Sequence, residues 1–320
     1  MTNITAPRFT DADAAREHLE ALHWPHGPVC PHCRSLNAKR LPDQRGRPSK
    51  AHPEGAIRKG LVQCNDCRKQ FTVTVGTVFE DSKVPLHKWL LANHLMVASK
   101  KGISAHQLHR MLGVTYKTAW FMAHRIREAM IDVQTGPMGG DGGVVEADET
   151  YIGNKKGKER GRGGFQHKMK VVSLVDRNTG AARSFRVGLV SQFSIGPILA
   201  ANVSPEAFLM TDEHIIYKGL GWNFSGHGTV NHGKEEYVNR DKPHLHTNTI
   251  EGFFSVFKRG MKGVYQHCGE QHLQRYLREF DFRYTHRSAN GVEDAQRADI
   301  ALMGIAGKRL TYRRTGNALV

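Results

Sequence analysis

One stretch organises this sequence: His246-Thr-Asn-Thr-Ile-Glu-Gly-Phe-Phe-Ser-Val-Phe-Lys-Arg-Gly-Met-Lys262. At about 100° per residue its apolar side chains fall on one stripe, which is the spacing of a helix that packs against a core. The members of that stripe are Ile250, Phe253, Phe254, Phe257 and Met261. A different face carries Asn248, Glu251, Ser255, Lys258, Arg259 and Lys262. A carboxylate at this position could bind a cation while the neighbouring basic residues bind a phosphate backbone. Glu–Lys pairs on an ordinary surface helix would give the same sequence pattern.

The composition favours a polyanionic partner. Lys and Arg outnumber Asp and Glu by 46 to 30 in 320 residues, which gives a formal net charge of +16. Such an excess is typical of proteins that bind nucleic acid or an anionic membrane. The sequence has no run of 18 apolar residues, and its first residues lack the order of a signal peptide. We therefore expect a cytoplasmic, nucleoid-associated protein of two or three domains whose partner is DNA, with no membrane role.

Four of the five cysteines form two C-x-x-C pairs, Cys30-Pro-His-Cys33 and Cys64-Asn-Asp-Cys67. Each short turn directs two thiolates toward one ion, which is what a tetrahedral structural zinc site requires. The second pair leads into the alternating segment Arg68-Lys-Gln-Phe-Thr-Val-Thr-Val75. We predict a zinc ribbon within residues 1–80, with Cys30, Cys33, Cys64 and Cys67 as Zn²⁺ ligands.

Residues 81–135 have the apolar spacing of successive short helices. Gly113 ends one of them and Thr115 begins the next, so the two are joined by a short turn that contains glycine. This is the helix-turn-helix layout. Any three-helix packing unit has a similar pattern, so the prediction of DNA contact here depends mainly on the overall charge. The predicted DNA contacts are Lys117, Arg125 and Arg127.

A glycine-rich linker at 136–143 separates these helices from a segment rich in strands. We predict strands over 144–152, 168–175 and 182–190, a helix over 194–202 and a further strand over 207–212. Three strands in a meander, a crossover helix and another strand describe an α/β domain with a mixed sheet, which we place at 144–290. The remaining residues, 291–320, are predicted to form a basic C-terminal tail.

Three acids in this domain occupy positions where the predicted fold does not call for a charged side chain. Asp148 lies in the middle of an apolar strand, Asp212 ends the strand Phe-Leu-Met-Thr-Asp, and Glu251 projects from the helix described above. If they converge, they could hold a pair of hard cations, Mg²⁺ or Mn²⁺, which prefer oxygen ligands. Two such ions about 4 Å apart activate the attacking oxygen and stabilise the leaving oxygen in phosphodiester transfer.

Neighbouring acids could take the place of these three. They are Glu146, Glu149 and Glu213. The alternation of a strand puts Glu146 on the same side as Asp148 and puts Glu149 on the opposite side.

Three blocks of the sequence resemble the catalytic blocks of DDE transposases of bacterial insertion sequences. These blocks are Asp148-Glu-Thr-Tyr-Ile-Gly, Met210-Thr-Asp-Glu and the stretch from His246 to Lys262. The similarity is to the branch with an N-terminal zinc ribbon and an RNase H-like core, and it extends in the same order over nearly the whole chain. It implies an RNase H-like mixed sheet flanked by helices and metal-dependent cleavage at the terminal inverted repeats of the transposon. Attack of the 3′-hydroxyl on target DNA would follow, carried out by a homo-oligomer assembled on DNA.

Carried over position by position, Asp148 and Asp212 match the first two acids of this family. The third position has two candidates. Lys258 follows Glu251 by seven residues, a spacing at which such enzymes place a basic residue beside the last acid, but some members use an asparagine, and Asn248 precedes Glu251 by one turn. We take Glu251 as the third ligand with Asn248 assisting, and Lys258, Arg259 and Lys262 as DNA contacts.

Two other functions are compatible with the sequence. A DNA-binding regulator with an inactive RNase H-like domain would need only the N-terminal region, and the presence of both Asp148 and Asp212 argues against it. A nuclease that hydrolyses DNA without joining it would use the same metals as a transposase.

Overall fold

The computed structural model describes residues 3–50, 53–131, 136–159, 164–230 and 246–311. The chain divides into two compact units. The first comprises Met1–Ala98, Ala105–Met130 and Asp294–Val320, and the second comprises Ser99–Ser104 and Ile131–Glu293. Within the described ranges, no helix has both the length and the apolar character that a membrane span requires.

The first unit begins with short helices and a small ribbon of strands. Its helices are α1 (Pro7–Thr10), α2 (Ala12–His23), α3 (Leu86–Ala98), α4 (Ala105–Leu112) and α5 (Tyr116–Ala129). Its strands are β1 (Ala38–Arg40), β2 (Gln44–Arg45), β3 (Ile57–Arg58), β4 (Val62–Cys64) and β5 (Gln70–Phe71). Strands β1, β4 and β5 form an antiparallel sheet, and β2 pairs with β3. Around the cysteines the buried apolar cluster is small, consisting of Cys30, Val62, Cys64 and Phe71 with a few partly buried neighbours.

The helix-turn-helix layout predicted from the sequence is present in α4 and α5. Gly113 ends α4 with φ of +60°, a conformation that glycine adopts without steric cost. Thr115 caps α5, because its side chain accepts a hydrogen bond from the Thr118 N–H at 3.2 Å. Three residues therefore separate the two helices.

The second unit contains a mixed sheet with helices on both faces. Its strands are β6 (Val144–Ile152), β7 (Met169–Asp176), β8 (Ala182–Val187), β9 (Phe208–Asp212) and β10 (Gly226–Val230), and its helices are α6 (Gln192–Asn202), α7 (Asn248–Gly260) and α8 (Leu273–Thr285). The order of the five strands described is β10-β9-β6-β7-β8. Strands β6, β7 and β8 form an antiparallel meander, whereas β9 runs parallel to β6 and to β10. This is the RNase H-like arrangement that the resemblance implied. Strand β10 was not predicted, since two glycines in Gly226-His-Gly-Thr-Val230 weaken its strand pattern.

Each face of this sheet has its own apolar core. Val145 and Ala147 of β6 pack in a cluster with Ile195 and Leu199 of α6. On the other face, Val171 and Val175 of β7 pack in a cluster with residues of α7 and α8. Because every residue of β7 is buried, this strand lies between the two cores. The even-numbered residues of β6 therefore face α7, and this orientation decides where its acids point.

The end of the described chain differs from the predicted tail at 291–320. Residues Asp294–Met303 form helix α9, which belongs to the first unit and packs against α3. The Asn93 side chain donates a hydrogen bond to the carbonyl of Ala298 at 2.9 Å, and Arg297 donates to the carbonyl of Val97 at 3.1 Å. The sequence pattern hides this helix because its buried residues are Arg297, Ala298, Ala301 and Leu302, of which Leu302 alone is a large apolar side chain. Residues 312–320 of the predicted tail lie outside the described residues.

The ribbon and the helices on either side of the predicted boundary near residue 80 lie in one compact unit. Within that unit the Val78 N–H donates to the carbonyl of Ile305 at 3.2 Å, so the segment after α9 also packs beside the end of the ribbon.

We expect Leu302→Ala to lower the free energy of unfolding of the first unit by about 2–5 kcal/mol, because this side chain is 2% exposed. The matched control is Met303→Ala in the same helix, where the side chain is 53% exposed, and its effect should stay within about 0.5 kcal/mol. Urea unfolding can be followed by the fluorescence of Trp24, Trp89 and Trp120, which all lie in this unit. If the C-terminal segment were a free tail, both substitutions would have the same negligible effect.

Candidate active site

Two of the predicted acids lie side by side on the sheet. Strand β9 pairs with β6 in parallel register, with Val144 opposite Phe208 and Glu146 opposite Met210. Continuing that register by two residues places Asp148 beside Asp212. Residues in register on adjacent strands project to the same face, with the strands about 4.8 Å apart. The two carboxylates therefore share the face of the sheet that α7 covers.

Asp148 has an unusual electrostatic environment. Burial raises the pKa of Asp148 to about 8, and the next largest causes are the nearby carboxylates of Asp212 and Glu149. A hydrogen bond from the Glu149 N–H at 2.7 Å and the ammonium group of Lys258 act in the opposite direction. Adjacent carboxylates that are partly buried do not both ionise readily without a compensating charge. The donor set fits a hard divalent cation such as Mg²⁺ or Mn²⁺, which Asp148 and Asp212 would hold.

Glu149 lies on the opposite face of β6, as strand alternation predicted. Its carboxylate accepts a hydrogen bond from the hydroxyl of Tyr217 at 2.8 Å. Burial raises the pKa of Glu149, the Tyr217 hydrogen bond lowers it, and Asp212 raises it. Glu149 is thus near the site but bound to a buried tyrosine of the other core.

Helix α7 carries the third predicted ligand. Its apolar stripe is buried as predicted, at Ile250, Phe253, Phe254, Phe257 and Met261. Asn248, Glu251, Ser255 and Lys258 follow one another at three- and four-residue intervals and therefore share a face. Lys258 acts electrostatically on Asp148, so this face of the helix is near the carboxylate pair. Glu251 is half-buried and accepts a hydrogen bond from the Thr247 hydroxyl at 3.2 Å, whereas Asn248 is exposed.

Glu146 has a role that sequence reasoning missed. It is 0% exposed and shares the α7 side of β6 with Asp148. One carboxylate oxygen accepts a hydrogen bond from the Ile250 N–H at 2.8 Å, and the other forms an ion pair with Arg177. The Ile250 N–H belongs to the first helical turn, where backbone N–H groups lack partners within the helix. Glu146 is therefore a helix cap supplied by the sheet, and both of its carboxylate oxygens have partners in the protein.

Further contacts hold the same turn. The guanidinium of Arg177 also donates to the carbonyl of His246, just before α7. On the opposite flank, the hydroxyl of Tyr284 in α8 donates to the carbonyl of Thr249 at 3.1 Å. Imidazole Nδ1 of His246 lies 3.5 Å from the Glu146 carboxylate. The start of α7 is thus fixed by groups from β6, from the turn after β7 and from α8.

The predicted DNA contacts fall into two groups. Lys117, Arg259 and Lys262 are exposed, and Lys258 is half-buried. Arg125 and Arg127 are buried instead, with Arg127 2% exposed. Arg125 donates to the carbonyls of Glu80 at 2.8 Å and Leu310 at 3.2 Å. The prediction of DNA contact is therefore withdrawn for these two arginines, whose guanidinium groups lie in the interior of the first unit.

The four predicted zinc ligands converge in the first unit. Their Sγ atoms all lie within 4.8 Å of one another. The separation is 3.6 Å for Cys30–Cys67 and 3.6 Å for Cys33–Cys64. A tetrahedron with Zn–S bonds of about 2.3 Å has S–S edges of about 3.8 Å, so the donor set fits Zn²⁺. The ribbon is a structural zinc site formed by four thiolates.

A mixed sheet of this strand order, with two adjacent acids on one face, is the arrangement of the RNase H-like class. Residues 141–285 match the ISXO2-like transposase domain, and residues 10–70 match the transposase zinc-ribbon domain. Over 291 residues the chain is 30% identical to an uncharacterized protein in transposable element ISH50 of Halobacterium salinarum, with 86% of this chain and 91% of that protein covered. The chain belongs to the ISXO2-like transposase family and is a nucleic-acid-transferring enzyme.

One solved structure with a similar chain is the cryoEM structure of the simian T-cell lymphotropic virus intasome in complex with PP2A regulatory subunit B56 gamma. The sequence identity is 13% and the TM-score is 0.28, over 54% of this chain and 63% of that chain.

The raised pKa of Asp148 predicts a pH dependence of stability in protein without added Mg²⁺ or Mn²⁺. Between about pH 4, the ordinary value for an aspartate, and about pH 8, the folded protein holds a proton that the unfolded chain has released. The free energy of unfolding therefore falls as pH rises through this range. Asp148→Asn should remove this part of the slope, as measured by urea unfolding at several pH values. Burial also raises the pKa of Asp281 to about 7, but its contribution to the pH dependence is the same in wild type and in Asp148→Asn. Equal slopes for the two proteins would therefore contradict the raised pKa of Asp148.

Glu146→Ala should destabilise the second unit by about 3–5 kcal/mol, because it leaves the Arg177 guanidinium without its carboxylate and the Ile250 N–H without its acceptor. The control is Glu206→Ala, which removes an exposed carboxylate and should change stability by less than about 0.5 kcal/mol. Urea unfolding monitored by circular dichroism gives the magnitude, and hydrogen exchange of the α7 amides locates it. Unchanged exchange in the first turn of α7 would contradict the capping role.

Proposed function

We propose that this transposase cleaves DNA at the terminal inverted repeats of its element and joins the resulting 3′-hydroxyl to target DNA in a divalent-metal-dependent reaction. The observation that carries the proposal is the pair Asp148 and Asp212, adjacent on one face of the sheet and opposite the basic face of α7. A purely structural pair would be unfavourable, since burial and the neighbouring Asp212 raise the cost of ionising Asp148.

The ligands of the proposed site are Asp148, Asp212 and Glu251, with Asn248 assisting. When bound, two Mg²⁺ or Mn²⁺ ions would supply charge neutralisation at the phosphate and activation of the attacking oxygen. The half-buried position of Glu251, on the same helix face as Lys258, supports its choice as the third ligand. Its hydrogen bond from the Thr247 hydroxyl holds one carboxylate oxygen in place. If Asn248 were the ligand instead, the site would lose one negative charge and bind the second cation more weakly.

The residues of the chain itself position the DNA. Lys258, Arg259 and Lys262 lie along α7 beyond Glu251, where they can contact phosphates on either side of the reacting one. Phosphoryl transfer depends mainly on positioning and on neutralising charge, so no further acid or base is needed. Glu146 and Arg177 contribute by fixing the start of the helix that carries these groups.

In this proposal the first unit recognises the terminal inverted repeats. The zinc ribbon and the α4–α5 pair supply the binding elements, and Lys117 lies exposed in the first turn of α5, where a helix-turn-helix protein contacts base edges. Joining two transposon ends requires two active sites in one complex, so we expect a homo-oligomer on DNA.

The test incubates the full-length protein with labelled DNA from the ends of its own element, a target plasmid and Mg²⁺. Wild type should yield a covalently joined product, and Asp148→Ala and Asp212→Ala should lose it while still binding the labelled DNA. Glu251→Gln and Asn248→Ala then separate the two candidates for the third ligand. Glu213→Ala, which removes the exposed acid next to Asp212, serves as the control and should remain active.

Each other outcome overturns part of the proposal. Nicked DNA without joined product would indicate a nuclease. DNA binding with neither cleavage nor joining, in protein that retains its zinc, would indicate a regulator. An inactive Glu213→Ala variant would indicate that the second metal ligand is Glu213 and not Asp212.

A further inference from the structure

A pair of stacked aromatic rings lies at the end of the strand that carries Asp148. Tyr151 and Phe165 have ring centroids 4.6 Å apart and planes inclined by 29°. Phe165 is 55% exposed, whereas Tyr151 is half-buried. Neither ring belongs to the two apolar cores of the sheet. A large aromatic surface is therefore held in a defined orientation while much of it remains open to solvent.

The pair borders the carboxylates. Tyr151 follows Asp148 by three residues in β6, about 10 Å along the strand, and by strand alternation its side chain leaves β6 on the opposite face, the face of Glu149. Strand β9 ends at Asp212, in register with Asp148, so Tyr151 lies on the part of β6 that extends beyond the end of β9. Burial raises the pKa of the Tyr151 phenol, and the carboxylates of Glu149, Asp148 and Asp212 raise it further. Ten ångströms is about three steps along a DNA strand.

The loop that bears Phe165 is basic. It leaves β6 at Ile152 and returns at Met169, and the Lys155 N–H donates to the carbonyl of His167 at 2.8 Å across it. Lys156 and Lys158 are exposed in this loop, whereas Lys155 forms an ion pair with Glu270 at 3.3 Å. An open aromatic surface beside exposed lysines has the two components of a single-strand binding site, namely a stacking platform and charge for the backbone.

We propose that the Tyr151–Phe165 stack binds an unpaired nucleobase of the DNA strand whose phosphodiester lies at Asp148 and Asp212. This inference rests on the proposed function, since it takes the carboxylate pair as the reaction centre. The occupant is a base outside the duplex, because inside a duplex both faces of a base are covered by its neighbours. Opening the terminal base pairs costs free energy, and stacking on the protein rings compensates for part of that cost.

The Tyr151–Phe165 stack also predicts which form of DNA the protein binds more tightly. DNA with unpaired bases at its end presents them without any cost of opening, so it should bind more tightly than the same DNA with a blunt end. The preference should be tolerant of sequence, because every base offers an aromatic face.

The experiment measures binding of fluorescently labelled DNA to the full-length protein in the absence of Mg²⁺ and Mn²⁺, with blunt and unpaired-end forms of one duplex. Wild type should prefer the unpaired end. Tyr151→Ala and Phe165→Ala should weaken binding of that form by about 5- to 100-fold and leave the blunt form nearly unchanged. A 2-aminopurine placed among the unpaired bases reports stacking directly, since its emission falls when it stacks and should recover in both variants.

Matched variants make the result specific. Tyr151→Phe and Phe165→Tyr keep the rings and should bind like wild type, which separates loss of stacking from loss of folding. Trp222→Ala removes another ring that is 89% exposed in the same unit, and it should not change the preference. The proposal is overturned if the alanine variants bind the unpaired end as wild type does, or if Trp222→Ala has an equal effect. Because no cleavage is required, a failed joining assay with an intact binding preference would reject the proposed function alone.

Discussion

The structure of the second unit depends on how one buried charge is satisfied. The carboxylate of Glu146 has no exposed surface, and an unpaired charge in that position would cost several kcal/mol. Its partners are the guanidinium of Arg177, in the turn after β7, and the Ile250 N–H in the first turn of α7. Satisfying this charge therefore docks two other segments on β6. Asp148 lies two residues further along the same face of β6. The contacts of Glu146 therefore fix both the strand that carries Asp148 and helix α7, which carries Glu251, the proposed third ligand.

Glu146 and Asp148 illustrate how surroundings divide the roles of two similar acids. Glu146 contacts the guanidinium of Arg177 and the N–H of Ile250 at a helix N-terminus, so its role is structural. Asp148 has carboxylates as neighbours and only a more distant lysine in compensation, so its pKa is raised to about 8. In the proposed site, Asp148 is the carboxylate that would receive a cation from solution.

The first unit is stabilised by different interactions. Its ribbon is made of strands of two or three residues, and the apolar cluster near the cysteines is too small to hold them by burial alone. Four thiolates arranged for one Zn²⁺ supply the missing constraint. The remaining stability comes from helices, including α9, which returns from the far end of the sequence to pack on α3.

Much of this protein follows from local sequence. The apolar stripe of α7, the two C-x-x-C turns, the helix-turn-helix punctuation at Gly113 and Thr115, and the strands bearing Asp148 and Asp212 were all predictable, because periodicity, cysteine spacing and capping act over a few residues. Tertiary structure alone decided the rest. Strand register placed the two aspartates together, Glu146 became a helix cap because α7 docks over it, and Arg125 and Arg127 are buried although their sequence context suggested exposure. Helix α9 packs on α3 although the two are far apart in the chain, and Tyr151 stacks on Phe165 across a loop. No local pattern encodes such contacts, because they form only when the chain has folded.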